Sequence, residues 1–242
     1  MKNIAIILAG GSGKRMGSEL PKQFLPLDGK EIIEHSVDAF ENAPSIDEIA
    51  IVTHSDYRDH IERLVGQRGW SKVAHIIDGG AERYLSSLNA VSSYIDEPDD
   101  TNLILHDAAR PWISQTIITR VTNALKRHEA VGVAVASTDT IWEVMPDFGV
   151  FEQEGSHSFE GGIPRIVQRI PERSRMYRAQ TPQAFRLPLI RDAYQRALQD
   201  PNFRATDDCG VVRQYMPGTK IFVVEGEESN RKITFAEDLK KS

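Results

Sequence analysis

Residues 8–24, Leu-Ala-Gly-Gly-Ser-Gly-Lys-Arg-Met-Gly-Ser-Glu-Leu-Pro-Lys-Gln-Phe, run from an apolar segment into a glycine loop studded with cations. That combination handles phosphate. Gly10, Gly11 and Gly13 can take backbone angles closed to other residues, so amide N–H groups can turn toward an anion at close range. Lys14, Arg15 and Lys22 add full charges that backbone dipoles cannot supply. Two familiar glycine-loop chemistries fail on spacing. A Walker loop needs glycine where Leu8 stands and Ser or Thr where Arg15 follows Gly13-Lys14. A dinucleotide fingerprint read from Gly11 needs a small residue where Met16 stands, and no isolated acid after a second strand clearly takes a ribose.

Two further clusters could serve the same ligand. Asp78-Gly79-Gly80-Ala81-Glu82-Arg83 places paired glycines between a strand and a helix, where the backbone can approach a flat base, and Ser86 follows one helical turn after Glu82. Glu82 can equally serve the helix dipole, and Arg83 can be a solvated surface charge. His106-Asp107-Ala108-Ala109-Arg110-Pro111 ends another apolar segment. A carboxylate facing phosphates needs an intervening cation, so Asp107 points to Mg²⁺ or to a substrate hydroxyl. Arg110 can bind phosphate or form an ion pair with Asp107, and His106 reads as a hydrogen-bonded structural histidine. Thr206, Asp207, Lys232 and Arg173 mean little alone. Asp207 can begin a helix capped by Thr206, and Cys209 reads as an inert, partly buried thiol.

The elements that must position these residues alternate. Apolar runs at 4–8, 49–53, 73–77, 103–105 and 131–136 read as buried strands. Helical spacing joins Ile32, Ile33, Val37 and Phe40, then Ile61 to Val65, then Leu85, Leu88, Val91 and Ile95, then Ile117, Val121 and Leu125. This predicts an α/β fold: a Rossmann-like, mostly parallel twisted sheet with helices on both faces, binding its ligand at the carboxyl ends of the strands. Residues 138–180 break the alternation and are expected to form a protruding β-arm that meets a partner subunit. Residues 188–198 resume as helix and 220–224 as strand, and a short helix over 235–241 closes a single domain spanning 1–242.

The 242 residues, 40% apolar, suffice for one substantial core, and the formal charge of −6 argues against nucleic-acid binding. A single cysteine permits no internal disulfide or cysteine-based metal site, and a reducing cytoplasmic setting is expected. The opening apolar run is too short for a signal or membrane segment.

Taken in order, Leu-Ala-Gly-Gly-Ser-Gly-Lys-Arg-Met-Gly, Pro-Lys-Gln-Phe, Gly-Gly-Ala-Glu-Arg, His-Asp-Ala-Ala-Arg-Pro, Gln-Thr-Pro-Gln, Thr-Asp-Asp-Cys and Asn-Arg-Lys-Ile-Thr resemble the cytidylyltransferases of small polyol phosphates. That group contains the 2-C-methyl-D-erythritol 4-phosphate and D-ribitol 5-phosphate enzymes, and the match covers nearly the whole chain. The resemblance implies a nucleotidyltransferase fold, Mg²⁺-dependent use of CTP and a homodimer joined through arms. It implies that Arg15 and Lys22 stabilise the transferring phosphate, with Lys232 also at the phosphates. The loop Ala9, Gly10, Gly11, Ser12 and Gly13 would hold the nucleotide's phosphates, and Gly80, Ala81 and Ser86 its base. Asp107 would lie near metal and substrate hydroxyls, Arg110 and Thr206 around the substrate, and Thr140 and Arg173 would reach substrate in the neighbouring subunit. Phe148 to Arg165 is longer than the usual arm. Thr-Asp-Asp-Cys leans toward the ribitol branch and His-Asp-Ala-Ala-Arg-Pro toward the erythritol branch, with the balance tipped to ribitol 5-phosphate. A nucleotide-sensing protein without catalysis is the other class, and the retained cations oppose it.

Overall fold

The computed structural model describes residues 1–11, 20–146 and 165–241. Ser12, Gly13 and Arg15 therefore lie outside the described residues, as does most of the long stretch from Phe148 to Arg165. The described residues divide into two compact units, 1–134 with 179–242, and 135–178.

The first unit is built on a sheet. Strand β1 (Asn3–Ala9) leads through the short pair β2 (Pro26–Leu27) and β3 (Lys30–Glu31) to helix α1 (Ile32–Glu41). Then follow β4 (Glu48–Thr53), α2 (Arg58–Arg68), β5 (Val73–Asp78), α3 (Arg83–Ser93), β6 (Asn102–Asp107), α4 (Gln115–Leu125) and β7 (Ala130–Ala136). The 135–178 unit contributes β8 (Glu143–Pro146) and β9 (Arg165–Arg169). After it come β10 (Tyr177–Arg186), α5 (Leu187–Ala197), α6 (Asp208–Tyr215) and β11 (Phe222–Glu225). The described sheet has seven strands in the order β11-β7-β10-β6-β1-β4-β5. β1 runs parallel to β4 and β6, β4 to β5, and β7 to β11, whereas β10 is antiparallel to β6.

The apolar runs become strands because both sheet faces are covered. Along β1, Ala5, Ile7 and Ala9 join the core under α1, α2 and α4, while Ile4, Ile6 and Leu8 join the core under α3, α5 and α6. Local signals bound the helices. Glu31 and Glu34 form a capping box on α1, Ser114 caps α4 by accepting from the Ile117 amide, and α2 ends at Gly69 with φ +65°. Asp28 and Gly29, at φ +47° and +81°, make the tight turn between β2 and β3.

Three expectations change. β10 was not legible as a strand, because its Gln180-Thr181-Pro182-Gln183 segment has a polar, proline-containing pattern, yet all four residues are buried. The helix carrying Val211 and Val212 is capped by Asp207, whose carboxylate accepts from the Gly210 amide at 2.7 Å, rather than by Thr206. Ile95 falls beyond the end of α3 and is exposed.

The 135–178 unit overlaps the expected arm at 138–180. β8 and β9 pair antiparallel, with Val144 opposite Val167 and Met145 opposite Ile166. All four side chains are exposed, as are Trp142, Ile170 and Tyr177. Among the described residues no helix is long and apolar enough to cross a membrane.

His106 sits in the middle of the sheet with no exposed surface. Its Nε2 contacts the Arg110 carbonyl and its Nδ1 the Thr181 hydroxyl, each at 3.1 Å. Burial pushes its pKa down to about 4. An unfolded chain protonates this ring below about pH 6.5 while the native state refuses the proton until about pH 4, so stability falls as the pH drops through that window. The full effect is on the order of 3 kcal/mol. Melting temperatures measured from pH 7 to pH 4 should fall more steeply for the wild type than for His106→Asn; equal slopes would refute the assignment.

Candidate active site

Parallel register sets the site. Leu8 lies opposite Asp107, Ala9 opposite Thr53, and Thr53 opposite Asp78, so β1, β6, β4 and β5 all end at one level. Every segment that leaves this edge meets its neighbours there. The Ala108 amide donates to the Leu8 carbonyl at 3.0 Å, and the Gly79 amide to the Thr53 carbonyl at 2.7 Å. A cleft of about 610 Å³ opens over this edge.

One wall is a place of close backbone approach. A Cβ on Gly10 would lie 3.0 Å from the Ser86 Oγ, one on Gly79 3.1 Å from the same oxygen, and one on Gly80 2.1 Å from the Leu85 Cβ. None of these three glycines has a positive φ. The expectation that Gly10 and Gly11 serve through unusual backbone angles is therefore corrected: neither has a positive φ, Gly10 serves through space, and around Gly11 a side chain would meet nothing within 4 Å among the described residues. Ser86, at the start of α3, accepts from the Gly80 amide at 3.1 Å and is buried. Ala81 is exposed on the cleft wall, where it presents only its backbone and a methyl group.

Pro21 and the 3₁₀ turn Lys22–Phe24 hold the next side chains. Buried Gln23 ties the loop to β1 by donating from Nε2 to the Ala9 carbonyl at 2.5 Å and the Gly11 carbonyl at 3.1 Å. Sequence reasoning gave Gln23 no role; its place in Pro-Lys-Gln-Phe was the available signal. Lys22 lines the cleft and donates to the Ile233 carbonyl at 2.9 Å.

Lys232 arrives from the far end of the chain on a fastened segment. The Ile233 amide donates to the Ala109 carbonyl at 2.8 Å, and Asn230, with no exposed surface, donates to the Thr181 carbonyl at 2.9 Å. Arg110 completes the clamp through Nη1 to the Asn230 carbonyl at 2.7 Å. Arg110 does not line the cleft, and its expected ion pair with Asp107 is replaced by two others. The Lys232 Nζ lies 2.6 Å from Asp107 Oδ2, and Arg83 Nε lies 3.2 Å from Oδ1. Burial alone would raise the Asp107 carboxyl, but the charges of Arg83 and Lys232 hold it well below the usual carboxylate range. Arg83 is thus no solvated surface charge. Its guanidinium also reaches Asp208, a fully buried carboxylate on α6, at 2.8 Å.

Thr206 is exposed at the cleft rim. Cys209 does not line the cleft; its thiol, raised by burial, packs against Gly132 of β7. Thr140 and Arg173 belong to the 135–178 unit, where both are exposed. Among the described residues no three His, Cys, Asp or Glu side chains gather as a metal-binding group. Asp107 is one carboxylate with two cations on it, which leaves it poorly suited to hold a resident metal by itself.

Comparison with known proteins identifies the family and the fold. The family model described as 2-C-methyl-D-erythritol 4-phosphate cytidylyltransferase (IspD) matches residues 3–242. A protein of that name from Thermobifida fusca is 43% identical over 235 residues, 97% of this chain and 89% of the relative. A bifunctional ribulose 5-phosphate reductase/CDP-ribitol pyrophosphorylase from Haemophilus influenzae is 40% identical over 98% of this chain, which spans 47% of that protein. Among solved structures, 4-diphosphocytidyl-2C-methyl-D-erythritol synthase from Anaerococcus prevotii superposes with a TM-score of 0.81 at 29% identity, covering 99% of this chain and 93% of that one.

Gly80→Ala should destabilise the protein by about 1 to 3 kcal/mol, because its methyl group would collide with the first turn of α3. Urea unfolding checks this. An unchanged midpoint would mean that the turn relaxes freely.

Proposed function

The chain belongs to the 2-C-methyl-D-erythritol 4-phosphate cytidylyltransferase family, CTP-dependent nucleotidyltransferases, and we propose that it transfers CMP from CTP to 2-C-methyl-D-erythritol 4-phosphate. The observation that carries the reading is the convergence of Lys22, Lys232 and Asp107 with the Gly10, Gly80 and Ser86 wall on one cleft. One side offers close backbone for a flat base, and the other offers separated cations for phosphates.

In this reading an oxygen of the acceptor phosphate attacks the α-phosphorus of CTP in line. The new P–O bond forms as the bond to pyrophosphate breaks, and the electron pair leaves with pyrophosphate. The acceptor is already largely dianionic near neutral pH, its second ionisation lying at about 6, so no general base is needed. The obstacle is anion meeting anion. Lys22 and Arg15 neutralise charge gathering at the α-phosphorus, and the loop Ala9 to Gly13 receives the outer phosphates. Gly80, Ala81 and Ser86 hold the cytosine. Lys232 receives the acceptor phosphate, with Thr206 at the rim and Arg110 fastening the segment that presents Lys232. Asp107 orients acceptor hydroxyls and would contribute one oxygen to a nucleotide-borne Mg²⁺. Such an ion supplies charge neutralisation along the triphosphate when bound.

Ribitol 5-phosphate is the second reading for the acceptor. The Haemophilus relative supports it, whereas the cysteine that inclined the sequence toward that branch packs on Gly132 instead of lining the cleft. Thr140 and Arg173 would approach a neighbouring subunit's substrate, in a homodimer that covers the exposed apolar side chains of β8 and β9.

With CTP and Mg²⁺, pyrophosphate release should be faster with 2-C-methyl-D-erythritol 4-phosphate than with ribitol 5-phosphate. The opposite preference would overturn the acceptor, and no release with either would overturn catalysis. Arg15→Ala and Lys22→Ala should each lower turnover on the order of 10²-fold to 10³-fold. Near-normal turnover of either variant removes that residue from the phosphoryl-transfer role.

A further inference from the structure

Four charges stand in file, Lys232, Asp107 and Arg83 lining the cleft and Asp208 buried behind Arg83. Lys232 Nζ is 2.6 Å from Asp107 Oδ2, Arg83 Nε is 3.2 Å from Asp107 Oδ1, and Arg83 Nη1 is 2.8 Å from Asp208 Oδ2. Side-chain exposure is 35% for Lys232, 10% for Asp107, 28% for Arg83 and 0% for Asp208, so only the last member of the file is fully buried. The Tyr194 hydroxyl closes the inner end, donating to Asp208 Oδ1 at 2.7 Å. We propose that Arg83 is a positioning residue which holds Asp107 through the carboxylate oxygen that Lys232 does not use, so that Lys232 can leave that carboxylate for an incoming phosphate.

The argument is one of compensation. Asp107 is nearly buried, and stripping a buried carboxylate of its sole cation is strongly unfavourable. Were Lys232 that sole cation, the ion pair would pin it. Arg83 keeps a second positive charge on Asp107, so departure of Lys232 leaves the carboxylate still compensated. The two cations are suited to unequal roles. Lysine is a point charge on a flexible stem, whereas the guanidinium fork spans two carboxylates at once. Asp208 and Tyr194 anchor that fork at depth and prevent Arg83 from swinging to the phosphate itself. The file is assembled from α3, β6, α6 and the C-terminal segment, with Arg83 separated from Asp208 by 125 positions.

This proposal rests on the assignment of Lys232 to the acceptor phosphate, and steady-state kinetics varying each substrate in turn test it. Arg83→Met alone would strand the Asp208 charge and could unfold the protein, so the informative variant is Arg83→Met combined with Asp208→Asn. That variant should raise the acceptor KM and lower acceptor kcat/KM about 10²-fold, while the CTP KM changes by no more than about two-fold. Arg83→Lys should restore part of the acceptor KM. A fall in kcat with both KM values unchanged, or parallel rises in both, would overturn the positioning role, as would Lys proving no better than Met.

Calorimetric titration with each polyol phosphate separates the two levels of inference. Wild-type protein that releases no pyrophosphate refutes the proposed function. Undiminished phosphate affinity in the double variant refutes the role of Arg83 whether or not the wild type turns over.

Discussion

A carboxylate at the carboxyl edge of a buried sheet needs opposite charge, and Asp107 draws that charge from two distant parts of the chain. Arg83 comes from the start of α3, Lys232 from the last strapped segment, and Asp208 steadies Arg83 from α6. The strap itself follows from the same need. Lys232 can stand 2.6 Å from Asp107 because buried Asn230 bonds Thr181 of β10, buried Ile233 bonds Ala109 just beyond β6, and Arg110 grips the Asn230 carbonyl. Remove the burial at either residue and the lysine becomes a solvated surface charge.

The opposite wall obeys a steric constraint. Gly10, Gly79 and Ser86 crowd around one hydroxyl, and the Gly80 amide binds that same oxygen. Backbone from two loops is thereby brought close enough for a planar ligand to meet main chain on both. Gln23 adds the third fixed point by tying the glycine loop back to β1. The cleft thus joins a wall of close-packed backbone to the side chains of Lys22 and Lys232.

Much of the sheet was legible because strands covered on both faces are uniformly apolar and helices between them repeat every three or four residues. β10 escaped because its buried segment is polar: Gln180, Thr181 and Gln183 are inside to bond Glu227, His106, Asp107, Asp207 and Cys209 across the sheet edge, not to fill apolar space. Arg83 escaped for a related reason. An arginine at the start of a helix carries no local sign of carboxylates 24 and 125 positions away.

The amino-acid order alone determined the alternating α/β plan, the glycine loop with its phosphate-handling cations and, through seven ordered motifs, the resemblance to cytidylyltransferases. Those properties are local, since periodicity, backbone freedom and motif spacing act within a few residues. Only the folded chain decided that Arg83 rather than Arg110 pairs with Asp107, that Cys209 faces Gly132 instead of the cleft, and that Gly10 serves by proximity. Ion pairing and close packing depend on distances between segments far apart in sequence, and those distances exist once parallel register has brought the strand ends level.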